Sequence, residues 1–163
     1  MARSDMFLKA VGQRSGEISG EANDKQFLNQ IDVVDWSWGM TAPSAVGGTR
    51  TGRTLLGELK LVKRADKAST SLMAVMKNNE LLTSAVLSVR KAGGTPMPYF
   101  VMTLSQARII GFELQSDLSP EGAPVLTEHL SLTYKSISIE YSLQGDKGIS
   151  LSTSNYMADA APE

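Results

Sequence analysis

The chain has 163 residues, with 16 Lys and Arg against 17 Asp and Glu, and no cysteine. This length suits one domain with a core of its own, and the missing cysteines exclude disulfides and thiol chemistry. The formal net charge of −1 gives no electrostatic reason to expect a nucleic acid or an anionic membrane as a partner.

The first part of the chain alternates period-2 patterns, which predict strands, with glycine-rich segments, which predict loops. The predicted elements are a strand over residues 5–11, a loop over 12–30, a strand over 31–40, a loop over 41–53 and a strand over 55–63. Lys9 interrupts the first apolar residues early, so we expect no signal peptide. No apolar run has the length of a membrane-spanning helix.

The predicted strand over 31–40 contains both tryptophans of the chain. Residues i and i+2 of a strand point the same way, so Trp36 and Trp38 are predicted to share a face with Val34 and Met40. So bulky a face needs a second layer to cover it. We therefore predict that the two tryptophans lie in the core or at a subunit boundary.

One convincing helix is predicted over residues 69–79. Ser69 or Thr70 is the expected cap, and Leu72, Val75 and Met76 form an apolar stripe at helical spacing. A helix this short needs to lie against the sheet to be stable.

Further strands are predicted over residues 82–91, 99–104, 108–114 and 128–143. In the last of these the apolar residues are even-numbered up to Tyr134 and odd-numbered from Ile137, so the buried face reverses near Lys135 and Ser136. Such reversals are typical of barrels and orthogonal sandwiches. About seven short strands and one helix predict a mainly β protein, a closed antiparallel barrel over residues 1–145. Residues 146–163 are predicted to be a loosely ordered polar tail, apart from a short strand at 149–151.

Candidate catalytic and metal-binding groups are few. His129 has no nucleophile or orienting acid at a recognisable spacing, which favours a surface or interface position. Asp32 and Asp35 are predicted on opposite faces of their strand, where they cannot share a proton or a metal. With one histidine and no cysteine, we expect no enzyme, no metal site and no cofactor.

Glycine-rich and basic segments favour loops over ligand sites. Residues 47–52 lack the lysine spacing and the following helix of a phosphate-binding loop. Residues 90–94 combine Arg90 with a glycine pair, as is typical of a hairpin turn. Four basic residues lack interleaved aromatics and are balanced by Glu58 and Asp66, which favours a solvated edge over a nucleic-acid-binding patch: Lys60, Lys63, Arg64 and Lys67.

Five motifs occur in a fixed order along the chain. They are Asp5-Met6-Phe7-Leu8-Lys9, Ile18-Ser19-Gly20-Glu21, Trp36-Ser37-Trp38-Gly39, Arg90-Lys91-Ala92-Gly93-Gly94, and a run from Glu128 through Leu130, Leu132 and Tyr134 to Tyr141. Together they resemble the Hcp (haemolysin-coregulated protein) family, the tube protein of bacterial type VI secretion. The resemblance covers about residues 5–142, nearly the whole chain.

The resemblance implies a phage-tail-tube-like barrel that forms hexameric rings, which stack into a hollow tube. A contracting sheath propels such a tube, with a spike at its tip, from the bacterial cytoplasm into the medium or a target cell. Members are secreted without a signal peptide, and some carry small effector proteins in the lumen. Here Tyr134 replaces the usual Phe, and Gly20-Glu21-Ala22-Asn23-Asp24 replaces the common Gly-Glu-Ser-x-Asp.

Assembly surfaces can be assigned as hypotheses. The loop over 41–53 carries Arg50 and Arg53, which we expect at the contact between stacked rings, with Asp117 and Glu121 as acidic counterparts. The even-numbered residues Ser84, Ser88 and Arg90 are expected on the lumen or solvent face. Two alternatives remain open: a monomeric or dimeric ligand-binding barrel, and a secreted effector on the same fold.

Overall fold

The computed structural model describes residues 5–43, 47–48, 52, 54–91, 97–144 and 150–160. The strands are β1 Met6–Gly12, β2 Gly16–Ile18, β3 Ile31–Asp32, β4 Asp35–Ser37, β5 Met40–Thr41, β6 Leu55–Leu56, β7 Leu59–Arg64, β8 Leu82–Val89, β9 Phe100–Leu118, β10 Pro124–Gln144 and β11 Ser150–Asp159, and the helix is α1, Ala68–Lys77. The prediction of a mainly β protein with one short helix is confirmed. No helix within these ranges is both long and apolar enough to cross a membrane.

One antiparallel sheet has the strand order β2-β1-β8-β9-β10-β7-β4, with β3 also on β1 and β11 also on β10. The segment over residues 31–37 bonds to both edges of this sheet, because β3 pairs with β1 and β4 pairs with β7. Between them, the Val33 N–H donates to the Met6 carbonyl at 2.9 Å and the Val34 N–H donates to the Val62 carbonyl at 2.7 Å. The sheet therefore curls into a barrel around its core. A separate two-stranded ribbon, β5 and β6, extends from it.

The predicted reversal of the buried face in β10 is confirmed: Tyr134 is buried, and the next buried residue is Ile137. The buried face also reverses in the two neighbouring strands, at positions that pair with this part of β10. The reversal lies between Leu104 and Ala107 in β9 and between Leu82 and Ala85 in β8. Gln106, at the centre of this line, has a φ of 51°, the left-handed conformation that interrupts a regular strand. The aligned reversals bend the sheet so that both faces of its strands contribute to one core.

The prediction of one continuous strand over 31–40 is wrong. The chain crosses from one edge of the sheet to the other between β3 and β4, so the period-2 pattern is interrupted there. Val33 is buried, whereas Val34 and Met40 are exposed and do not share the core with the tryptophans. Trp36 and Trp38 are half-buried and pack against the core.

Other predicted boundaries also change. The strand over 55–63 is two strands, β6 and β7, and the strands over 99–104 and 108–114 are one, β9. The predicted loop over 12–30 contains β2. The tail is not loosely ordered over residues 150–159, because β11 pairs with β10 along this length. The helix begins at Ala68, so Ser69 and Thr70 lie inside it and are not its cap.

Candidate functional site

The predicted ring-stacking arginines, Arg50 and Arg53, lie outside the described residues, and their role stays a prediction. Their proposed acidic counterparts are described: Asp117 and Glu121 are both exposed, at the turn that joins β9 to β10. The Gln115 side-chain amide donates to Asp117 at 3.1 Å.

The two tryptophans have structural contacts. The Trp36 ring stacks on Phe100, with 5.2 Å between ring centres. The Trp38 indole N–H donates to the Tyr134 hydroxyl at 2.8 Å, and that hydroxyl donates to the Gly57 carbonyl at 2.7 Å. This hydroxyl therefore bridges β10 and the base of the ribbon, and its burial raises the pKa of Tyr134. An open cleft of about 490 Å³ adjoins Trp38 there.

Tyr134→Phe is expected to lower the free energy of unfolding by about 1–3 kcal/mol, because the Trp38 N–H and the Gly57 carbonyl both lose a partner. Urea denaturation followed by tryptophan fluorescence measures this loss. Tyr141→Phe removes the hydroxyl of an exposed tyrosine and is the matched control. Equal stability changes in the two variants would contradict the bridging role.

Arg90 forms the centre of a clamp on the first loop. Its Nε donates to Asp5 Oδ1 at 3.2 Å, and its Nη2 donates to Asp24 Oδ2. The guanidinium carbon also lies 5.4 Å from the centre of the Phe7 ring and 5.7 Å from that of Phe27, and the two rings stack on each other. The ion pairs and the cation–π contacts hold residues 20–30 against β1 and β8.

This clamp corrects the predicted lumen or solvent face. Ser88 is only 7% exposed because it lies opposite Phe7 in the ladder of β1 and β8. The Arg90 side chain is 15% exposed. An open face is therefore wrong for Ser88 and Arg90, while Ser84 is half-buried. Alternation along β8 identified the residues that share a face, but not the loop that covers them.

The Arg90 clamp makes acid stability depend on Asp24. The hydrogen bond from Arg90 lowers the pKa of Asp24 below its ordinary value of 3.8. A depressed folded-state pKa contributes stability above the unfolded pKa, and that contribution is lost as the pH falls through the folded pKa.

The Asp24→Asn variant should therefore lose less thermal stability than the wild type when the pH is lowered from 5 to about 2.5, below the ordinary aspartate range. Melting temperatures measured across this range test the difference. Glu58→Gln removes an exposed carboxylate and should keep the wild-type profile. Parallel profiles for Asp24→Asn and the wild type would refute the linkage.

A buried ionic cluster joins β7, β10 and α1, and the interpretation of Lys63 as part of a solvated edge is wrong. Its side chain is 1% exposed, and its Nζ lies 3.0 Å from Glu128 Oε1 and 2.9 Å from Asp66 Oδ1. The Ser69 hydroxyl donates to Glu128 Oε2. The sequence did contain a signal for this cluster, because Lys63 is in phase with Leu59 and Leu61 on the core face of β7.

Other carboxylates attach loops to the barrel through backbone N–H groups. Glu21 accepts from the Lys67 N–H at 2.6 Å, and Asp66 accepts from the Ala68 N–H at 3.0 Å, so both satisfy the start of α1. Glu80 accepts hydrogen bonds from the backbone N–H groups of Ser15 and Arg14, which lower the pKa of Glu80. These acids act as structural anchors.

The remaining ionisable groups among the described residues include Asp32 and His129. Burial, together with the nearby carboxylates of Asp66, Glu21 and Asp24, raises the pKa of Asp32. Within the part of the chain that the structure describes, no group of three or more His, Asp or Glu side chains could hold a metal ion. His129 is half-buried opposite Glu113, and its Nε2 has no hydrogen-bond partner there.

Two exposed apolar surfaces lie at opposite ends of β10. The first, the leucine arm, consists of Leu114, Leu118 and Leu126, which are 48%, 71% and 53% exposed. These even-numbered residues continue the core row of Leu130 along β9 and β10. The second, the tyrosine arm, consists of Tyr141, Leu143 and Tyr156, which are 46%, 47% and 42% exposed and continue the row of Ile137. Neither arm was predicted from the sequence. Apolar and polar residues alternate in the arms as they do in strands with a buried face, so the pattern does not show that these apolar residues are exposed.

Each arm lies beside a strand edge that has no strand partner among the described elements. β8 pairs with β9 only as far as Ala107, so residues 108–118 have no strand partner on that side among the described elements. The outer edge of β11 likewise has no strand partner within the described ranges. Apolar side chains beside unpaired strand edges are typical of protein–protein contact surfaces.

The chain is similar to known proteins in both sequence and fold. The family model "Type VI secretion system effector, Hcp" matches residues 7–141. Protein hcp1 of Pseudomonas aeruginosa is 30% identical over 148 residues, 88% of this chain and 86% of that protein. Hcp1 from Salmonella typhimurium has a TM-score of 0.76 at 25% identity, covering 98% of this chain and 96% of that one. Secreted protein Hcp3 from Pseudomonas aeruginosa has a TM-score of 0.70 at 18% identity, covering 96% and 99%.

Proposed function

Because the chain belongs to the Hcp family of type VI secretion proteins, we propose that it is a structural subunit that forms hexameric rings, which stack into the hollow secretion tube. The observation that carries the ring proposal is the pair of exposed apolar arms at opposite ends of β10. A solvent-exposed surface of this kind costs solubility in a monomer, and neighbours in an assembly would cover it.

The two arms suit a closed ring. A ring needs a heterologous interface, in which one surface of a subunit meets a different surface of the next. The leucine arm and the tyrosine arm differ in composition, and both are flanked by unpaired strand edges. If the leucine arm of each subunit packs on the tyrosine arm of its neighbour, closure of the ring leaves neither arm exposed.

The proposed role extends to export and partners. A contracting sheath would propel the assembled tube, with a spike protein at its tip, from the bacterial cytoplasm into the medium or a target cell. Small effector proteins are candidate cargo for the lumen. The role needs no enzyme activity and no cofactor, which agrees with motif residues that serve as structural anchors, such as Arg90 and Glu128.

Molar mass by light scattering, followed by negative-stain imaging, tests the ring proposal. We expect a mass near six times the 17.5 kDa of the chain and six-fold rings. A monomer that takes up a small apolar dye would support a ligand-binding barrel instead. A ligand-binding barrel needs an interior cavity. Here side chains fill the interior, because Leu87, Met102 and Leu104 are fully buried and point into the core.

Substituting both Arg50 and Arg53 with Glu is expected to shorten tubes while sparing rings, because Asp117 and Glu121 would then face like charges. Electron microscopy measures tube length, and light scattering measures ring mass. The conservative substitution of both arginines with Lys keeps the charge and is the control. Tubes of unchanged length in the glutamate variant would exclude this contact.

A further inference from the structure

Lys63 and Glu128 are direct partners in the ladder of β7 and β10, and both point into the core. Their side chains are 1% and 0% exposed, and 3.0 Å separates Lys63 Nζ from Glu128 Oε1. Removing two charges from water opposes folding, and the attraction between them roughly offsets that cost. Net stability therefore does not account for a buried charge pair at this position.

The apolar neighbours of this pair do not define the pairing register of β7. Towards the middle of the barrel, Leu61 lies opposite Leu130, and Leu59 lies opposite Leu132. A slip by two residues keeps every side chain on its own face. In one direction it exchanges one apolar partner for another, with Leu61 opposite Leu132 and Leu59 opposite Tyr134, and in the other Leu61 faces the Glu128 carboxylate. β10 has 21 residues and β7 only six, so β10 extends past β7 at both ends.

The charge pair distinguishes the registers that the leucines do not. A two-residue slip would place Lys63 opposite Leu126 or Leu130 and leave both charges without their partner. We propose that the Lys63–Glu128 pair is a register lock, which excludes slipped pairings of β7 on β10.

The register lock also positions α1. Lys63 Nζ contacts Asp66, just before the helix, and the Ser69 hydroxyl of the first turn donates to Glu128. The Asp66 N–H donates to the same hydroxyl at 2.9 Å. A slip of two residues displaces β7 by roughly 7 Å along β10. It would carry with it the start of α1 and the strand β4, which holds Trp36 on the other edge of β7.

Engineered disulfides can measure the register, since the chain has no cysteine of its own. Lys60 lies opposite Ser131 on the outward face, so Lys60→Cys with Ser131→Cys reports the native register. Lys60→Cys with Thr133→Cys, or with His129→Cys, reports the two slipped registers. Directly opposite Cα atoms are about 4.5–5.5 Å apart, whereas those offset by two residues are roughly 8 Å apart, beyond disulfide reach.

The three reporters are compared in two backgrounds, the native pair and the apolar pair Lys63→Met with Glu128→Leu. In the native background we expect cross-linking by the Ser131 reporter alone. In the apolar background at least one slipped reporter should also cross-link, to at least a tenth of the native reporter's yield. Lys63→Leu with Glu128→Met is a second apolar background.

Each outcome of the cross-linking experiment either supports or overturns the register lock. Folded apolar backgrounds that cross-link only through the Ser131 reporter would overturn it, because leucine packing would then define the register alone. Failure of both apolar backgrounds to fold, judged by circular dichroism, would also overturn it, because the charges would then be needed for stability itself. Slipped cross-links in either folded background support it.

Discussion

Lys63→Met is expected to lower the free energy of unfolding by about 3–5 kcal/mol. The substitution keeps the volume of the side chain but leaves the Glu128 carboxylate, which is 0% exposed, without its cation. Asp66 loses the same partner at the start of α1. Urea denaturation followed by circular dichroism measures the change.

Lys60→Met is the matched control, on the same strand three residues earlier. Lys60 points outward and is exposed, so its substitution should change the free energy of unfolding by no more than about 0.5 kcal/mol. Adding Glu128→Leu to Lys63→Met should recover most of the lost stability, because no unpaired buried charge remains. Similar losses for Lys63→Met and Lys60→Met would contradict the role of the buried cluster.

Leu118→Glu combined with Leu126→Glu is expected to abolish rings, so that the molar mass in light scattering falls to that of the 17.5 kDa chain. The two leucines are 71% and 53% exposed, so the monomer should tolerate the charges. In the proposed ring the charges would be buried against an apolar neighbour, where they have no partner. Negative-stain imaging should show no rings.

Leu28→Glu with Val34→Glu is the matched control for this effect. These residues are 57% and 48% exposed and lie outside both arms, so the variant adds the same charge and should keep its rings. Melting temperatures of both variants separate loss of assembly from loss of folding. Intact rings in the Leu118 and Leu126 variant would place the ring interface elsewhere.

Several features of the fold were predictable because they depend on local patterns. The face reversal in β10 follows from apolar residues that change from even to odd positions, and the buried side chains change in the same place. The helix follows from a stripe at three-to-four spacing, and its observed bounds differ by one or two residues. The family resemblance depended on five motifs in order, and the family model matches almost the same range.

Features that depend on two distant segments were not predictable in this way. Alternation in β8 put Ser88 and Arg90 on one face, but the cover that buries them comes from Asp24 and Phe27 in the first loop. The role of Tyr134, a departure from the usual Phe, depends on Trp38 and Gly57, which lie far from it in the sequence and contact its hydroxyl. The pattern of one strand does not specify what lies over it.

By itself, the sequence determined that this is a one-helix β protein of the Hcp family, because strand alternation, helix spacing and motif order are properties of short segments. Only the tertiary structure decided that residues 31–37 cross between the two edges of the sheet, that Lys63 pairs with Glu128 in the core, and that apolar arms extend from both ends of β10. These three depend on partners far away in the chain. Strand pairing and burial depend on tertiary contacts between distant segments, and local sequence patterns do not specify those contacts.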